Sequence, residues 1–323
     1  MKHYTFMDFA TQGYLALVAL LILVLHGDAV QIWVWLLAAH AVILTLVHGL
    51  ILAHARHPAN RVLDFLRHFY PVLLYVGFYR ETGALNHMLT STYLDPVFIR
   101  FDAALFGLQP SLAFMEYLPY WPVSEVLYIA YFSYYLMIVG VGLALYVRNR
   151  AQFFHYVSVV SFVFYVCYLV YIFTPVMGPR IFHREINGYS LPPTVQPEVV
   201  PEFPAAVQAG LFFRIMGWIY ETFEAPGAAF PSSHVVVAIA TLCFSFRYLR
   251  RIRFLHLLAV VLLCLSTVYC RYHYVVDVVA GVAAAAFLIP LGNRLYFRFR
   301  RPGVELPVAA PSEAADPAQA KPG

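Results

Sequence analysis

Seven apolar runs, separated by short clusters of arginine, constrain this chain more than any other feature. They cover residues 5–25, 32–53, 123–147, 153–173, 233–246, 254–270 and 274–291. A helix that crosses the hydrocarbon core of a bilayer needs about 20 mostly apolar residues. Composition points the same way: 62% of the 323 residues are hydrophobic and 12% charged, against roughly 45–50% and about 25% in soluble domains. So few charges cannot cover a water-facing surface, which excludes soluble globular, disordered and fibrous classes. The expected fold is all-α, a polytopic membrane helical bundle.

The formal net charge of +4 is small, and its placement matters more than its size. Basic clusters fall at Arg56/Arg61/Arg67, Arg148/Arg150, Arg247/Arg250/Arg251/Arg253 and Arg294/Arg298/Arg300/Arg301. Placing them in the cytoplasm with Lys2 and Lys321 puts 15 of the 21 basic residues there, as the positive-inside tendency requires. The opposite side keeps Arg80, Arg100, Arg180, Arg184, Arg214 and Arg271. This arrangement needs one more crossing between Arg56 and Trp121, in the segment 62–90 that Arg80 and Glu81 interrupt. The prediction is therefore about eight transmembrane helices with both termini cytoplasmic. The first run lacks a small-residue cleavage site and reads as a spanning helix, not a signal peptide.

Other segments are connections. Residues 174–231 hold nine prolines, which forbid a continuous helix, and form a long extracytoplasmic link. Within it, 211–223 is apolar on one face and suits an interfacial helix. Residues 90–121 also lie outside and carry Asp95, Arg100, Asp102 and Glu116. Three divisions follow: 1–121, N-terminal transmembrane helices with an extracytoplasmic segment; 122–300, a helical core; and 301–323, a disordered cytoplasmic tail with little to bury. There is no internal repeat. Cys167, Cys243, Cys264 and Cys270 show no CxxC pair or zinc spacing, which argues against a disulfide framework and a metal site.

Three sequence-distant segments deliver polar residues to one face of the bilayer. They are Thr174 to Arg180, Phe230-Pro231-Ser232-Ser233-His234, and Cys270-Arg271-Tyr272-His273 to Asp277. His273 and Asp277 stand four apart, a spacing that puts both on one helical face. Asp277 can hold one ring nitrogen of His273 and leave the other free as a nucleophile or base. The plain reading is a solubilising pair at a helix start, yet an aspartate one turn inside an apolar helix usually has a function. His234 follows Ser232 and Ser233 at a helix N-terminus, which presents free N–H groups to an anion such as phosphate. The plain reading there is an ordinary serine cap. Arg180 and Arg271 can fork onto phosphate oxygens, although a lone interfacial arginine is more often an anchor, the role Arg184 suits.

His26, His40, His48, His54, His155 and His256 lie in or near apolar runs. Two of them on separate helices could hold a haem. His40 and His48, eight apart on one helix, could not clasp one iron from opposite sides. The 24 tyrosines and 27 phenylalanines read mostly as interfacial belt and lipid-facing packing.

The pattern resembles the type-2 phosphatidic acid phosphatase (lipid phosphate phosphatase) superfamily, a helical bundle with three signatures at the ends of its core helices. Pro231-Ser232-Ser233-His234 matches three of the four positions of the second signature, Pro-Ser-Gly-His, and His273 with Asp277 matches the His–x3–Asp of the third. The resemblance spans roughly 150 to 292. Phe173 and Ile181 stand where the first signature has lysine and proline, and Thr267 where the third has arginine. These departures, with Gly178-Pro179-Arg180 and the segment from Leu94-Asp95-Pro96 to Phe106-Gly107, resemble the inositol phosphorylceramide synthase (aureobasidin-resistance) branch and extend the likeness toward residue 62.

By that resemblance His273 is a nucleophile that becomes phospho-histidine, Asp277 orients it, and His234 protonates the leaving oxygen. Ser232, Ser233, Arg180 and Arg271 would hold the phosphate. The expected activity is an integral-membrane phosphotransferase that moves a phosphoryl headgroup from a phospholipid donor to a lipid alcohol at the outer face. With water as acceptor, the same site is a lipid phosphatase. Neither metal nor cofactor is expected, since the arginines and helix terminus supply the positive field, and no nucleic acid partner is expected. A non-catalytic transporter or haem carrier is the reading of a different class.

Overall fold

The computed structural model describes residues 2–28, 30–180 and 202–300. The middle of the long proline-rich connection, with Ile181 and Arg184, and the 301–323 tail lie outside the described residues. Among those described, the secondary structure is helical, apart from an isolated bridge between Val176 and Ala228.

Three N-terminal helices, α1 (Phe6–Leu25), α2 (Trp33–Arg56) and α3 (Arg61–Leu85), precede a bent pair, α4 (Asp95–Phe106) and α5 (Pro110–Tyr117). Next come α6 (Trp121–Arg148) and α7 (Arg150–Phe173), the short α8 (Ala205–Gln208), α9 (Leu211–Phe223), and finally α10 (Ser233–Tyr248), α11 (Arg253–Tyr269) and α12 (Val275–Phe299). The caps follow from sequence: Asn60, Asn149 and Ser232 each accept a backbone N–H in the first turn of α3, α7 and α10, as short polar side chains do at N-caps. Gly107, at φ +71°, ends α4 in the left-handed conformation that glycine adopts without strain.

Helix α7 is the axis of the bundle. It packs against α1, α3, α6, α10 and α12, and 72% of its most apolar window is buried. Helix α2 lies at the edge, with 17% of its window buried and Trp35, Val42 and Leu46 facing outward. Outward apolar side chains on this scale suit a lipid solvent.

Helices α1, α2, α6, α7 and α12 are long and apolar enough to cross a bilayer, so the chain is a multi-pass membrane protein. The eight expected crossings correspond to eight helices, but three fall short of that standard. Helices α10 and α11 have 16 and 17 residues. Helix α3 runs unbroken through Arg80 and Glu81 but also contains Asp64, Arg67 and His68. The pair α4–α5, expected outside, bends by 59° and together is apolar enough for a sixth, broken span. Helix α9 sits against α6 with Met216 buried and Leu211 and Trp218 exposed.

Buried polar side chains of the N-terminal half satisfy one another. Asp8 of α1 takes Arg67 and the Tyr70 hydroxyl, at 2.7 Å, from α3. His40 bridges Glu81, at 2.7 Å, and the Leu15 carbonyl, at 2.9 Å. The other histidines considered for haem also have protein partners: His26 the Ile22 carbonyl, His48 Tyr4, His54 Asp64, His155 Tyr248 and Asn293, and His256 Thr241 and Ser245. For the buried His155 and His256 that is the ordinary state of a core histidine.

Candidate active site

Three backbone turns meet where α7 ends and α10 and α12 begin. Ser232 donates its N–H to the Asp277 carbonyl, 3.2 Å away, which ties the start of α10 to the first turn of α12. Gly281 lets those helices approach, because a Cβ there would lie 3.0 Å from the Ser232 carbonyl and from Val235. Gly178, at φ +87°, lies so close to the Tyr272 carbonyl that a Cβ would come within 2.5 Å of its oxygen. The turn leaving α7 is thereby pressed onto the turn that enters α12.

His273 lies at the centre, buried, with three polar neighbours. Its Nδ1 is 3.4 Å from Asp277 Oδ2, its Nε2 is 3.3 Å from His234 Nδ1, and the Ala229 carbonyl accepts a further hydrogen bond from the ring. The His–Asp spacing works differently from a shared helical face. His273 belongs to the turn before α12, which begins at Val275, and Asp277 folds back from that first turn. Its Oδ2 also accepts the Tyr274 N–H at 3.0 Å, while Oδ1 meets no hydrogen-bond donor among the described residues. Burial pushes the His273 imidazole down to about 3 from an ordinary 6.5, against an upward pull from the Ala229 carbonyl, so the ring is neutral at neutral pH. His234, the second residue of α10, turns Nε2 to the Tyr131 hydroxyl at 3.1 Å, and its ring packs against Tyr131 and Tyr134.

The other expected residues are arranged less directly. The Ser232 hydroxyl caps α10 through the Val235 N–H, and the Ser233 N–H goes to the Tyr171 hydroxyl, which in turn donates to the Pro231 carbonyl. The start of α10 is thus partly engaged by the protein itself. Arg180 sits among rings, 4.4 Å from the Tyr272 centroid and 4.5 Å from that of Tyr220, with one hydrogen bond to the Tyr272 hydroxyl and a buried Nε that meets no acceptor among the described residues. Arg271, in the left-handed conformation at φ +61°, lies over Phe203 at 4.9 Å. Burial lowers its pKa, and Glu116 opposes that shift. Arg180 spends its hydrogen bond on Tyr272 and not on His234 or His273. Tyr272 links Arg180 to the pair by stacking on Tyr131, with ring centroids 4.4 Å apart.

Two carboxylates of α4 complete the frame. Asp95 accepts the Met177 and Gly178 N–H groups, both at 2.9 Å, and the Tyr274 hydroxyl at 3.0 Å. Asp102 accepts the Val275 and Val276 N–H groups at 2.9 and 3.1 Å, capping α12 from another helix. Sequence reading noted both as outer acids without giving them a task. Their spacing of seven, two helical turns, was the available signal. Tyr131, Tyr171 and Tyr272 were hidden among 24 tyrosines. The interfacial-belt reading needs correction, because fifteen tyrosines are buried among the described residues, where the interior offers partners for their hydroxyls.

A cavity of about 490 Å³ adjoins the site, walled by α3, α6, α7 and α9, with Ser233 and His234 at one end. Apart from these two, its lining is apolar and aromatic except for tyrosine hydroxyls and Glu224.

The family model of the PAP2 superfamily matches residues 97–291, a stretch that holds Asp102, Arg180, His234, His273 and Asp277 together. No curated protein and no solved structure matches the chain.

Proposed function

The chain belongs to the PAP2 superfamily, and from that premise we propose a lipid phosphotransferase in which His273 is the nucleophile, His234 the proton donor and acceptor, and Asp277 the orienting carboxylate. Superfamily membership supports a phosphatase- or phosphotransferase-type activity on membrane lipid phosphates. The observation that carries the assignment is the line Asp277–His273–His234, with contacts of 3.4 and 3.3 Å. Asp277 fixes the tautomer and leaves Nε2 of a neutral imidazole directed at the site.

In this reading His273 Nε2 attacks phosphorus, the bond to the lipid oxygen breaks, and His234 supplies the proton to that oxygen. Arg180 stabilises the charge on the phosphoryl group, as a forked donor beside a reacting phosphate does. An alcohol then takes the group, the N–P electron pair returns to His273, and the alcohol's hydroxyl proton passes to His234. The inositol phosphorylceramide synthase resemblance and the apolar cavity against His234 support a lipid alcohol as acceptor over water. The catalytic face is extracytoplasmic with both termini cytoplasmic, a disposition the arginine clusters support. Residues 122–300 form the catalytic core and 1–121 the N-terminal helices.

The test is phosphorus NMR on protein in vesicles, with phosphatidylinositol plus ceramide in one arm and phosphatidic acid alone in the other. A new phosphodiester that requires ceramide, and is absent with His273→Ala, is the expected result. Inorganic phosphate alone would make the enzyme a phosphatase. Turnover surviving in His273→Ala, with normal membrane insertion, would sink the assigned nucleophile.

A further inference from the structure

The cavity against His234 has a direction. Helix α6 contributes Tyr131 at the histidine end and Val139 at the other, eight residues and about 12 Å further along the helix. Helix α3 runs antiparallel to it as the facing wall, from Tyr79 back to Val72. Val76 and Val139 are half exposed, at 50% and 52%, so the far end opens sideways between α3 and α6, on the surface that meets lipid. Around the histidine end stand Tyr220 and Glu224 of the α9 segment, hydrogen-bonded to each other, and Tyr79, which accepts the Ala225 N–H. His273, Asp277, Arg180 and Arg271 are not in the lining. The cavity therefore meets the site at the proton donor, and Arg180 stands outside it behind Tyr220, 4.5 Å from that ring.

We infer that this cavity is a binding site for a lipid alcohol and serves twice in each cycle, first for the alcohol half of the donor and then for the acceptor. The inference rests on the catalytic reading above. In a displacement at phosphorus, the attacking and departing atoms stand roughly in line. With His273 on one side, the departing oxygen lies on the side of His234, which protonates it. The entering hydroxyl must surrender its proton to the same His234 and approach along the same line, so it occupies the same place. One slot lined by hydrocarbon and tyrosine rings, with hydroxyls and a carboxylate at its head, suits both: an apolar chain in the slot and a polar glycerol or sphingoid-like head at Tyr220 and Glu224. The headgroup carried on phosphorus then faces Arg180. The two lipids exclude each other, and transfer proceeds in two separate half-reactions.

The experiment uses Val139→Trp, which fills the lipid-facing mouth at an exposed position, together with kinetics of the wild type. The substrates are long-chain phosphatidic acid in vesicles and p-nitrophenyl phosphate, a phosphomonoester with no chain; dodecanol is the acceptor probe. With Val139→Trp, turnover of phosphatidic acid and transfer to dodecanol should both fall about tenfold or more relative to turnover of p-nitrophenyl phosphate by the same variant. In the wild type, dodecanol should accept the phosphoryl group with ping-pong kinetics and, at high levels, compete with phosphatidic acid. Unchanged lipid turnover in Val139→Trp would overturn the site. If that variant is inactive on both substrates, the wild-type kinetics decide: inhibition by dodecanol that is not competitive would refute the shared slot. A wild type that releases no diacylglycerol from phosphatidic acid or phosphatidylinositol would instead overturn the catalytic reading.

Discussion

Replacing Asp102 with alanine should disable the site from a distance, without removing any group that touches substrate. Asp102 is buried and holds two backbone amides at the start of α12, Val275 at 2.9 Å and Val276 at 3.1 Å. Each is a hydrogen bond to a charged acceptor, of the kind worth about 1.5–3 kcal/mol. Alanine leaves both donors, on half-buried residues, without their acceptor. A local loss of about 3 kcal/mol is reasonable, and at about 1.4 kcal/mol per decade it corresponds to about a hundredfold. The affected turn carries His273 two residues before Val275 and Asp277 one residue after Val276, so the loss falls on the geometry of the nucleophile. Turnover of lipid phosphate should drop about a hundredfold, and hydrogen exchange at Val275 and Val276 should quicken by a similar factor. Asp102→Asn keeps one acceptor oxygen and should lose about tenfold. Turnover within about threefold of wild type in Asp102→Ala, with exchange at the two amides accelerated, would show that the clamp does not position the nucleophile. Unchanged exchange would show that the clamp contributes nothing.

Further outcomes follow from the same geometry. His234→Ala should lose most activity on phosphatidic acid but recover part of it with p-nitrophenyl phosphate, whose leaving group needs no proton; equal loss on both would argue against the proton-donor role. Gly178→Ala combines φ +87° with a Cβ 2.5 Å from the Tyr272 carbonyl, so the two turns must separate. A loss of melting temperature and activity together is expected, and a neutral result would place the turns further apart than described. The folded His273 titrates near 3 and the free side chain near 6.5. Between those values the unfolded chain binds a proton that the folded one refuses, so this group makes stability rise with pH across that window. His273→Gln should flatten the melting temperature between about pH 4 and 6.5, and an unaltered slope would contradict burial of a neutral ring.

Much of the architecture was legible because hydropathy is a local property. The apolar runs fall on α1, α2, α6, α7, α10, α11 and α12 within a few residues, and Ser232 begins α10 as a serine cap should. The site was legible where chemistry concentrates in short spacings: His273 with Asp277, and His234 after two serines. Spacing misjudged the mechanism of contact. A helix was assumed to join His273 to Asp277, whereas a turn and an N-terminal fold-back do so, because the Asp277 carboxylate also accepts the Tyr274 amide. The arginines were expected on phosphate, and the structure surrounds Arg180 with the rings of Tyr272 and Tyr220.

The sequence by itself determined the solvent, the helices and the short spacings that single out His234, His273 and Asp277, since each depends on residue type and near neighbours along the chain. Only the tertiary structure decided that Asp95 and Asp102 brace the catalytic turns, that tyrosines from α6 and α7 hold His234 and the start of α10, and that α3, α6 and α9 leave a slot at the histidine's side. Those contacts join residues up to 179 positions apart. Carboxylates and phenols find partners there because buried polar groups must be satisfied, and no local pattern states which partner satisfies which.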